Sequence, residues 1–545
     1  MEMTKKMKMA AVGAAAVAVV GGGVFAYTRL AGGDPKETVI QAFENVYTEG
    51  QTDPMEELFG LSEFAKAGVS ASQNSGLMLK LDSCSEPAVN TYAGSGLRID
   101  AKNDVENNKV SANMGIIYNG MDLVNLDLYY GDDTVMAAVP ELSPKVFTLD
   151  FGEGLEERLK NSPMLGSALE QSGVDASVMA EYMELLAEQA RQTQEGQAAS
   201  FDLKALMKRY REGCKAEDDF KAALTVEKGE KASFTIDGKE QACRGYEVTV
   251  SKEAMINFLR TSSDFFLQDE VLKKDFLKRL ELSVKLSQLA GAQMEGQDFP
   301  TAQEMQEQTY EEARTEIDGM IAFLDSSLND VSMTVYVDKE GCLASVKGTT
   351  SFNSTGSEAE PVQLQFGCEL KGGAYPTQNM SAQAVLENGA ASVQIEAVKE
   401  GAYDGKELTS GFELSIENRG EIAEKWDITL DSSYNSEGGG FDVQAAAAQD
   451  GMELLGFSAQ GVVDELEKGK NIHLTLDSLD VSAMGDTGNA VLSGEYYIRP
   501  LTEEVVPLEG DTMDVLAAGE EEWNSVLMEV LFSFISLSGQ MDTGN

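Results

Sequence analysis

The sequence predicts an α+β protein built on a large curved antiparallel β-sheet, a half-barrel-like meander covered by helices, with an N-terminal transmembrane helix in front of it. Three observations predict this fold. Residues 9–27 contain no charged side chain, and apolar and polar positions alternate repeatedly between residues 330 and 500. Segments with helical periodicity lie between the strand-rich stretches. The length of 545 residues corresponds to about three to four ordinary domains or to one very wide sheet.

The composition sets limits on partners. Acidic residues number 92 and basic residues 42, which gives a formal net charge of −50, while 42% of the residues are apolar. So many apolar residues favour a folded chain over a disordered one. The negative charge repels phosphate backbones and anionic lipid surfaces, so no nucleic-acid partner is expected.

The N-terminus predicts the compartment. Lys5, Lys6 and Lys8 precede the uncharged run of residues 9–27, which as a helix would be about 28 Å long and would nearly span a hydrocarbon core. Lysines before the run orient its N-terminus toward the cytoplasm. The chain is therefore predicted to be a single-pass cell-membrane protein with an extracytoplasmic body. Cleavage of the segment as a signal peptide after Ala26 stays open, because Val24-Phe25-Ala26 resembles a signal peptidase site.

Residues 34–327, which follow the 1–33 anchor region, are predicted to mix helices and strands. A helix begins at Asp34-Pro35, and a second, short helix runs from Pro54 to Lys66. Strands are expected from about 76 to 151, with a turn at Asn119-Gly120, and again from 221 to 250. Helical blocks are expected at 153–216 and 252–326.

Residues 328–500 give the strongest pattern. Glycine- and asparagine-containing turn signals recur about every 15 to 18 residues and separate about ten alternating runs, such as Phe412, Leu414 and Ile416. This rhythm predicts a long antiparallel meander. The strands at 76–151 and 221–250 either join its sheet or form a second lobe. Residues 501–545, with the apolar segment 523–537, are expected to supply a C-terminal covering helix.

Five cysteines occur in the chain, and their expected state follows from the predicted export. They show no CxxC spacing and are accompanied by a single histidine, so no zinc site is expected. A chain reversal near Thr355 would place Cys342 opposite Cys368 in a cross-strand disulfide. Cys214 and Cys243 form the second predicted pair, and Cys84 is left over and buried. The alternative is that all five cysteines are reduced thiols.

Candidate catalytic residues are scarce. His473 is the only histidine and alternates with strand hydrophobes, which predicts a place on the polar face of a strand. A Ser-His-Asp triad would have to use it, and no GxSxG motif supplies the serine. The Gly-Lys pairs at 238, 405 and 469 lack the phosphate-loop pattern and are predicted to lie in turns. No catalytic, cofactor-binding or metal-binding residue is therefore predicted.

Two further patterns suggest hydrolases. Asp-Thr-Gly occurs at 486–488 and at 542–544, as in the paired loops of aspartic proteases. Only Asn545 follows the second copy and Gly485 precedes the first, so both copies are predicted to be turn-like coincidences. With 92 acidic residues, some pair of carboxylates will match a glycosidase spacing by chance. Trp426 and Trp523 fit packing roles better than sugar platforms.

The N-terminal phrase from Asp34-Pro35-Lys36-Glu37 to Phe43 resembles uncharacterised membrane-anchored surface proteins of Gram-positive anaerobes. The phrase Tyr129-Tyr130-Gly131-Asp132-Asp133, followed by residues 135–142, is similar to the same group. That resemblance implies no known activity. The plan of helices over a curved sheet is also similar to lipoprotein-carrier folds that shelter acyl chains, as a fold analogy only.

These observations lead to three hypotheses about function. The first is a membrane-tethered extracytoplasmic protein without enzymatic activity, one version of which binds an apolar or lipid ligand in a curved-sheet groove. The second is a cell-surface scaffold or adhesion protein that binds another surface protein. The third is a carboxylate-based hydrolase, which requires two carboxylates with opposed pKa shifts in one cleft.

Overall fold

The computed structural model describes residues 34–46, 52–172, 175–194, 203–291, 300–353, 361–389, 391–420, 423–483 and 488–543. The predicted transmembrane segment, residues 9–27, lies outside these ranges. Within them, no helix combines the length and the apolar character that crossing a bilayer requires.

The described part of the chain forms a mostly antiparallel sheet of 20 strands. The strands are β1 Gln73–Cys84, β2 Gly96–Asp104, β3 Lys109–Tyr118, β4 Met121–Gly131, β5 Thr134–Ala138, β6 Lys145–Asp150, β7 Thr225–Ile236, β8 Lys239–Val250, β9 Val331–Val337, β10 Leu343–Phe352, β11 Val362–Gly372, β12 Asn379–Asn388, β13 Ala391–Tyr403, β14 Glu407–Arg419, β15 Glu424–Asn435, β16 Gly440–Gln449, β17 Met452–Glu467, β18 Asn471–Ala483, β19 Gly488–Pro500 and β20 Asp511–Asp514.

Strand pairing joins the two predicted strand blocks to the meander. From one edge the order is β20, β6, β5, β4, β3, β2, β1 and then β19. From β19 the sheet continues backward along the chain through β18 to β10, then through β9 and β8 to the other edge at β7. The strands at 76–151 and 221–250 therefore share one sheet with the meander.

Helices precede, interrupt and follow the strands. They are α1 Pro35–Glu44, α2 Pro54–Phe59, α3 Leu61–Ser70, α4 Pro87–Asn90, α5 Leu155–Asn161, α6 Leu165–Ser172, α7 Ala176–Gln194, α8 Leu203–Gly213, α9 Ala216–Ala223, α10 Lys252–Gln268, α11 Glu270–Gly291, α12 Ala302–Ser327 and α13 Glu520–Thr543. The predicted α+β class is thus confirmed.

The largest core lies under the helices at one end of the sheet. Val39 and Phe43 of α1 and Met255 of α10 pack against Val248 of β8 and Val335 of β9. Val39 and Val335 are fully buried. Removing such side chains from water is the main source of stability in a sheet-and-helix layer, so this end anchors the fold.

The other end of the sheet is covered by the C-terminal helix. The Trp523 ring of α13 stacks on Phe147 of β6, with ring centroids 5.9 Å apart. Val526 of α13 packs in the same cluster with Met513 of β20. The inward side of α13 thus covers this border of the sheet.

Three sequence predictions about the elements need correction. The helix predicted from Pro54 to Lys66 is two helices, because Gly60 adopts a left-handed conformation with φ 65° between them. Strands predicted from 221 begin only at Thr225, since α9 extends to Ala223. β20 pairs parallel to β6, so the sheet is mixed and not purely antiparallel.

The helical layer contains an ion pair whose contribution to the free energy of unfolding should depend on pH. Arg209 of α8 donates from Nε and Nη2 to the two carboxylate oxygens of Asp269, both at 2.9 Å. The backbone N–H of Leu272 donates to the same carboxylate at 2.7 Å. The hydrogen bond from Arg209 is the largest of the effects that lower the pKa of Asp269. The folded state therefore favours the ionised carboxylate.

We expect Asp269→Asn to lower the free energy of unfolding by about 1.5 to 3 kcal/mol at pH 7. Because the pKa of Asp269 is lower in the folded chain, its contribution is present above the unfolded value of about 3.9 and is lost as the pH falls below it. Urea unfolding at pH 7 and near pH 3 measures this difference. Glu270→Gln, at an exposed neighbouring carboxylate, is the control. An equal deficit at both pH values would contradict the assignment.

Candidate site: an open apolar face of the sheet

One face of the sheet carries apolar side chains from strand to strand. Each residue in the following two rows lies directly opposite the next on the neighbouring strand, and so points to the same side. The first row is Leu414, Ile428, Ala447, Leu455 and Ala483, and the second is Phe412, Leu430, Ala445, Phe457, Val481 and Ala490. We call this side the apolar face.

The apolar face continues across the junction with the N-terminal strands. Tyr496 of β19 lies opposite Leu77 of β1, and Leu77 lies opposite Ile99 of β2. Ile99 in turn faces Met114 of β3. The two strand blocks therefore build one uninterrupted apolar surface, which a single hairpin could not provide.

The opposite side of the sheet is polar in the same region. The row through Asp431, Gln444, Ser458 and Asp480 crosses β15 to β18. Such alternation is the pattern of an antiparallel sheet that has one face in water and the other against apolar groups. We call this side the polar face.

The helices in the described ranges cover the apolar face at its borders. α1, α9 and α10 lie over β8 to β12, and α13 lies over β6 and β20. α2 covers one border of the middle, where the Phe59 ring packs on Tyr434 with centroids 4.6 Å apart. Near it, the Tyr403 hydroxyl donates to Glu57 at 2.8 Å, and burial, followed by this bond, raises the pKa of Tyr403 to about 12.

Between these borders the apolar side chains are exposed. On strands β15 to β19 and β1 to β3, ten large apolar side chains are 37 to 59% exposed, namely Ile428, Leu430, Leu455, Phe457, Val481, Tyr496, Leu77, Leu97, Met114 and Ile116. Eight strands at a spacing of about 4.8 Å extend over about 34 Å. Soluble monomers rarely expose contiguous apolar patches larger than a few hundred Å². This open region is the feature of the described structure that most needs a partner.

A furrow runs along β16 within the open region. Ala445 lies between Leu430 and Phe457 on the two adjacent strands, and Ala447 lies between Ile428 and Leu455. β15 and β17 are about 9.6 Å apart, so the larger side chains form two walls above a floor of methyl groups. Carbon–carbon contacts of about 3.5 to 4.0 Å let one hydrocarbon chain touch both walls.

The polar face has a cleft of about 930 Å³ near the tip of the β7–β8 hairpin. Its charged side chains pair with one another: Lys347 Nζ lies 2.9 Å from Glu369 and Lys371 Nζ lies 3.7 Å from Glu400. Asp237 accepts a hydrogen bond from the Gly373 N–H at 2.8 Å. Both lysines of this cleft are thus paired within the protein, and neither histidine nor cysteine lines it.

His473 lies on the polar face, as its alternation with hydrophobes predicts. Its Nδ1 is 2.6 Å from Asp464 and its Nε2 is 3.7 Å from Glu495. The nearby Tyr497 hydroxyl donates to Asp100 at 2.7 Å. These contacts hold the imidazole between two carboxylates and away from the open apolar region.

The structure contains neither predicted disulfide. All five cysteines are free thiols. Cys368 lies opposite Val346, and not opposite Cys342, because β10 and β11 pair with Phe352 opposite Val362. The predicted register of β10 and β11 was therefore wrong.

The other cysteines also lie apart. Cys214 follows α8 and its thiol donates to the carbonyl of Thr261 at 3.8 Å. Cys243 packs against Ile236 and Ala344 in a separate core cluster, where burial is the main cause of the raised pKa of its thiol. Cys84, predicted to be buried, is half-buried at the end of β1.

The remaining motifs are placed as follows. Gly238, Gly405 and Gly469 have positive φ values of 69°, 92° and 71°, which confirms the predicted turns at the Gly-Lys pairs. Asp486 and Thr487 lie outside the described residues. Asp542 and Thr543 are the last two residues of α13. The first two residues of the second Asp-Thr-Gly copy are therefore helical, whereas a turn was predicted.

Neither metal-binding residues nor similarity to known proteins indicates a function for the chain. In the ranges that the structure describes, no three His, Cys, Asp or Glu side chains are grouped so that they could hold a metal ion. No protein-family model matches the chain, and no curated protein shows significant similarity to it. The open apolar region is therefore the candidate site on geometry alone.

Proposed function

We propose that this protein is tethered to the cell membrane through residues 9–27, with its body outside the cytoplasm, and that it binds the acyl chains of a lipid on the open apolar region of its sheet. The observation that carries the proposal is the open region of β15 to β19 and β1 to β3, where ten large apolar side chains are 37 to 59% exposed. The binding is not coupled to a chemical reaction.

Burial of hydrocarbon supplies the binding free energy. Each methylene group that leaves water for an apolar surface contributes about 0.8 kcal/mol. One acyl chain can contact both apolar walls of the furrow over Ala445 and Ala447. Apolar side chains on β18, β19 and β1 extend this surface across the sheet. Bound lipid would in turn keep the exposed side chains from aggregating.

Native mass spectrometry of the purified protein, after removal of detergent, tests whether an amphiphile co-purifies. A titration with a fluorescent long-chain fatty acid then tests where it binds. We expect the double variant Leu430→Asn/Phe457→Asn to raise the dissociation constant about tenfold, since it removes roughly 1.4 kcal/mol of apolar contact.

The matched control is Thr429→Asn/Ser458→Asn. It introduces the same side chains on the same two strands, but on the polar face, and should leave the affinity unchanged. Equal effects of the two double variants, or reproducible absence of any bound amphiphile from the wild-type protein, would refute lipid binding at this surface. The scaffold hypothesis would then be favoured, and crosslinking on whole cells would identify the protein partner.

A further inference from the structure

The C-terminal helix α13 has a second apolar side that the sheet does not cover. Trp523, Val526 and Val530 face the core cluster at β6 and β20. On the outward side, the exposed fractions are 66% for Leu527, 49% for Leu531 and 64% for Phe532. A helix that is apolar on nearly all sides is normally buried on all of them, but within the described part of the chain the outward side of α13 has no apolar cover.

We propose that the outward side of α13, defined by Leu527, Met528, Leu531 and Phe532, lies in the surface of a lipid bilayer with uncharged or zwitterionic headgroups. This inference rests on the proposed tether at the membrane. The apolar segment of residues 523–537 is about 22 Å long and contains Glu529, so it is too short and too polar to span a bilayer. The helix would therefore lie in the plane of the interface.

The charge of the protein favours a neutral bilayer over the other apolar surfaces that could cover α13. A second copy of the chain would bring another net charge of −50 against the first, and this repulsion opposes self-association. The helix begins with Glu520, Glu521 and Glu522, and no Lys or Arg lies within it. Anionic headgroups are therefore disfavoured as well, whereas a neutral lipid surface accepts the leucines and phenylalanines without a charge penalty.

The position of α13 connects this contact to the proposed lipid-binding surface. Its inward side packs on Phe147 of β6, and Phe147 lies opposite Ala137, which lies opposite Leu128 on the apolar face. The helix thus lies at the β20 border of the same face whose middle is uncovered. A bilayer contact at this border would bring lipid to the edge of the open region.

The test uses the full chain in nanodiscs of phosphatidylcholine that contain a photoreactive acyl-chain phosphatidylcholine. After illumination, mass spectrometry maps the labelled peptides. We expect label on residues 523–537, reduced at least about fivefold in Leu527→Asn/Phe532→Asn. The matched control Ser525→Asn/Ser536→Asn, at exposed polar positions of the same helix, should retain the label, and amide exchange in α13 should slow in discs only for the wild type and the control.

Absence of label from α13 in discs that co-elute with the protein would overturn the inference. Stronger labelling in discs with anionic headgroups would contradict it as well. Label on peptides of β15 to β17 reports separately on lipid at the open apolar region. The proposed function and the role of α13 can therefore fail independently in the same experiment.

Discussion

Lys221→Met is expected to lower the free energy of unfolding by about 3 to 5 kcal/mol, because it removes the positive member of a buried ion pair and keeps the buried carboxylate. Lys221 of α9 pairs with Glu44 of α1 at 3.3 Å, and the two side chains are only 10 and 9% exposed. Glu217, one turn earlier on α9, lies in the field of both charges, and burial raises its pKa above the ordinary value of 4.5. The lysine thus pairs with Glu44, and its charge opposes the rise in the pKa of Glu217.

The pH dependence follows from the raised pKa of Glu217. A carboxyl whose pKa is higher in the folded state stabilises the fold below its unfolded value, and this contribution is lost as the pH rises through the folded value. The deficit of Lys221→Met should therefore be largest at pH 7 and should shrink as the pH falls toward 4.5. Urea unfolding across this range measures it.

The paired replacement Glu44→Leu/Lys221→Met separates the charge effect from lost packing. Replacing both members of a buried ion pair by apolar side chains of similar size is often close to neutral. We expect this double variant to recover most of the stability lost in Lys221→Met. If it stays as unstable as the single variant, the ion pair is not the reason for the loss.

Local chemistry made many turns and strands predictable. The φ angles are 48° and 77° in Asn119-Gly120 and 52° and 80° in Asp450-Gly451. Gly, Asn and Asp adopt positive φ most readily. Each hairpin of the meander joins neighbours in sequence, so the order of its strands followed from the turns. About ten strands were expected over 328–500, and eleven, β9 to β19, are observed.

Long-range pairing could not be read in the same way. Nothing local in β1 specifies that Leu77 lies opposite Tyr496, or in β8 that Val248 lies opposite Met333. Register also depends on where a turn is centred, and Cys368 lies opposite Val346 instead of Cys342. A shift of two residues in the turn moves each partner by four residues, which abolishes a disulfide geometry.

The candidate site was only half predictable. Alternation in Trp426, Ile428 and Leu430 indicates which side of β15 is apolar. It does not indicate what lies against that side, because burial depends on where helices distant in sequence pack. Ala445 and Ala447 form the floor of the furrow because they are small. The sequence shows their size, but the furrow is recognised only when β15 and β17 are placed on either side of β16.

Filling the furrow should abolish most of the proposed binding without unfolding the protein. We expect Ala445→Leu/Ala447→Leu to raise the dissociation constant of a fluorescent long-chain fatty acid about a hundredfold. Two leucines would occupy the space between the walls and displace about four methylene groups, a loss of roughly 3 kcal/mol. The sites lie on an uncovered face, so the free energy of unfolding should change by less than about 0.5 kcal/mol.

The same strand supplies the control, because Ala446 and Ala448 alternate with the furrow residues and point to the polar face. Ala446→Leu/Ala448→Leu adds the same volume and the same hydrophobicity to β16. If the ligand lies in the furrow, this variant binds as tightly as the wild type or slightly more tightly. Should both leucine pairs weaken binding equally, the effect would come from a change in the strand itself, and the acyl chains would have to bind elsewhere on the apolar face.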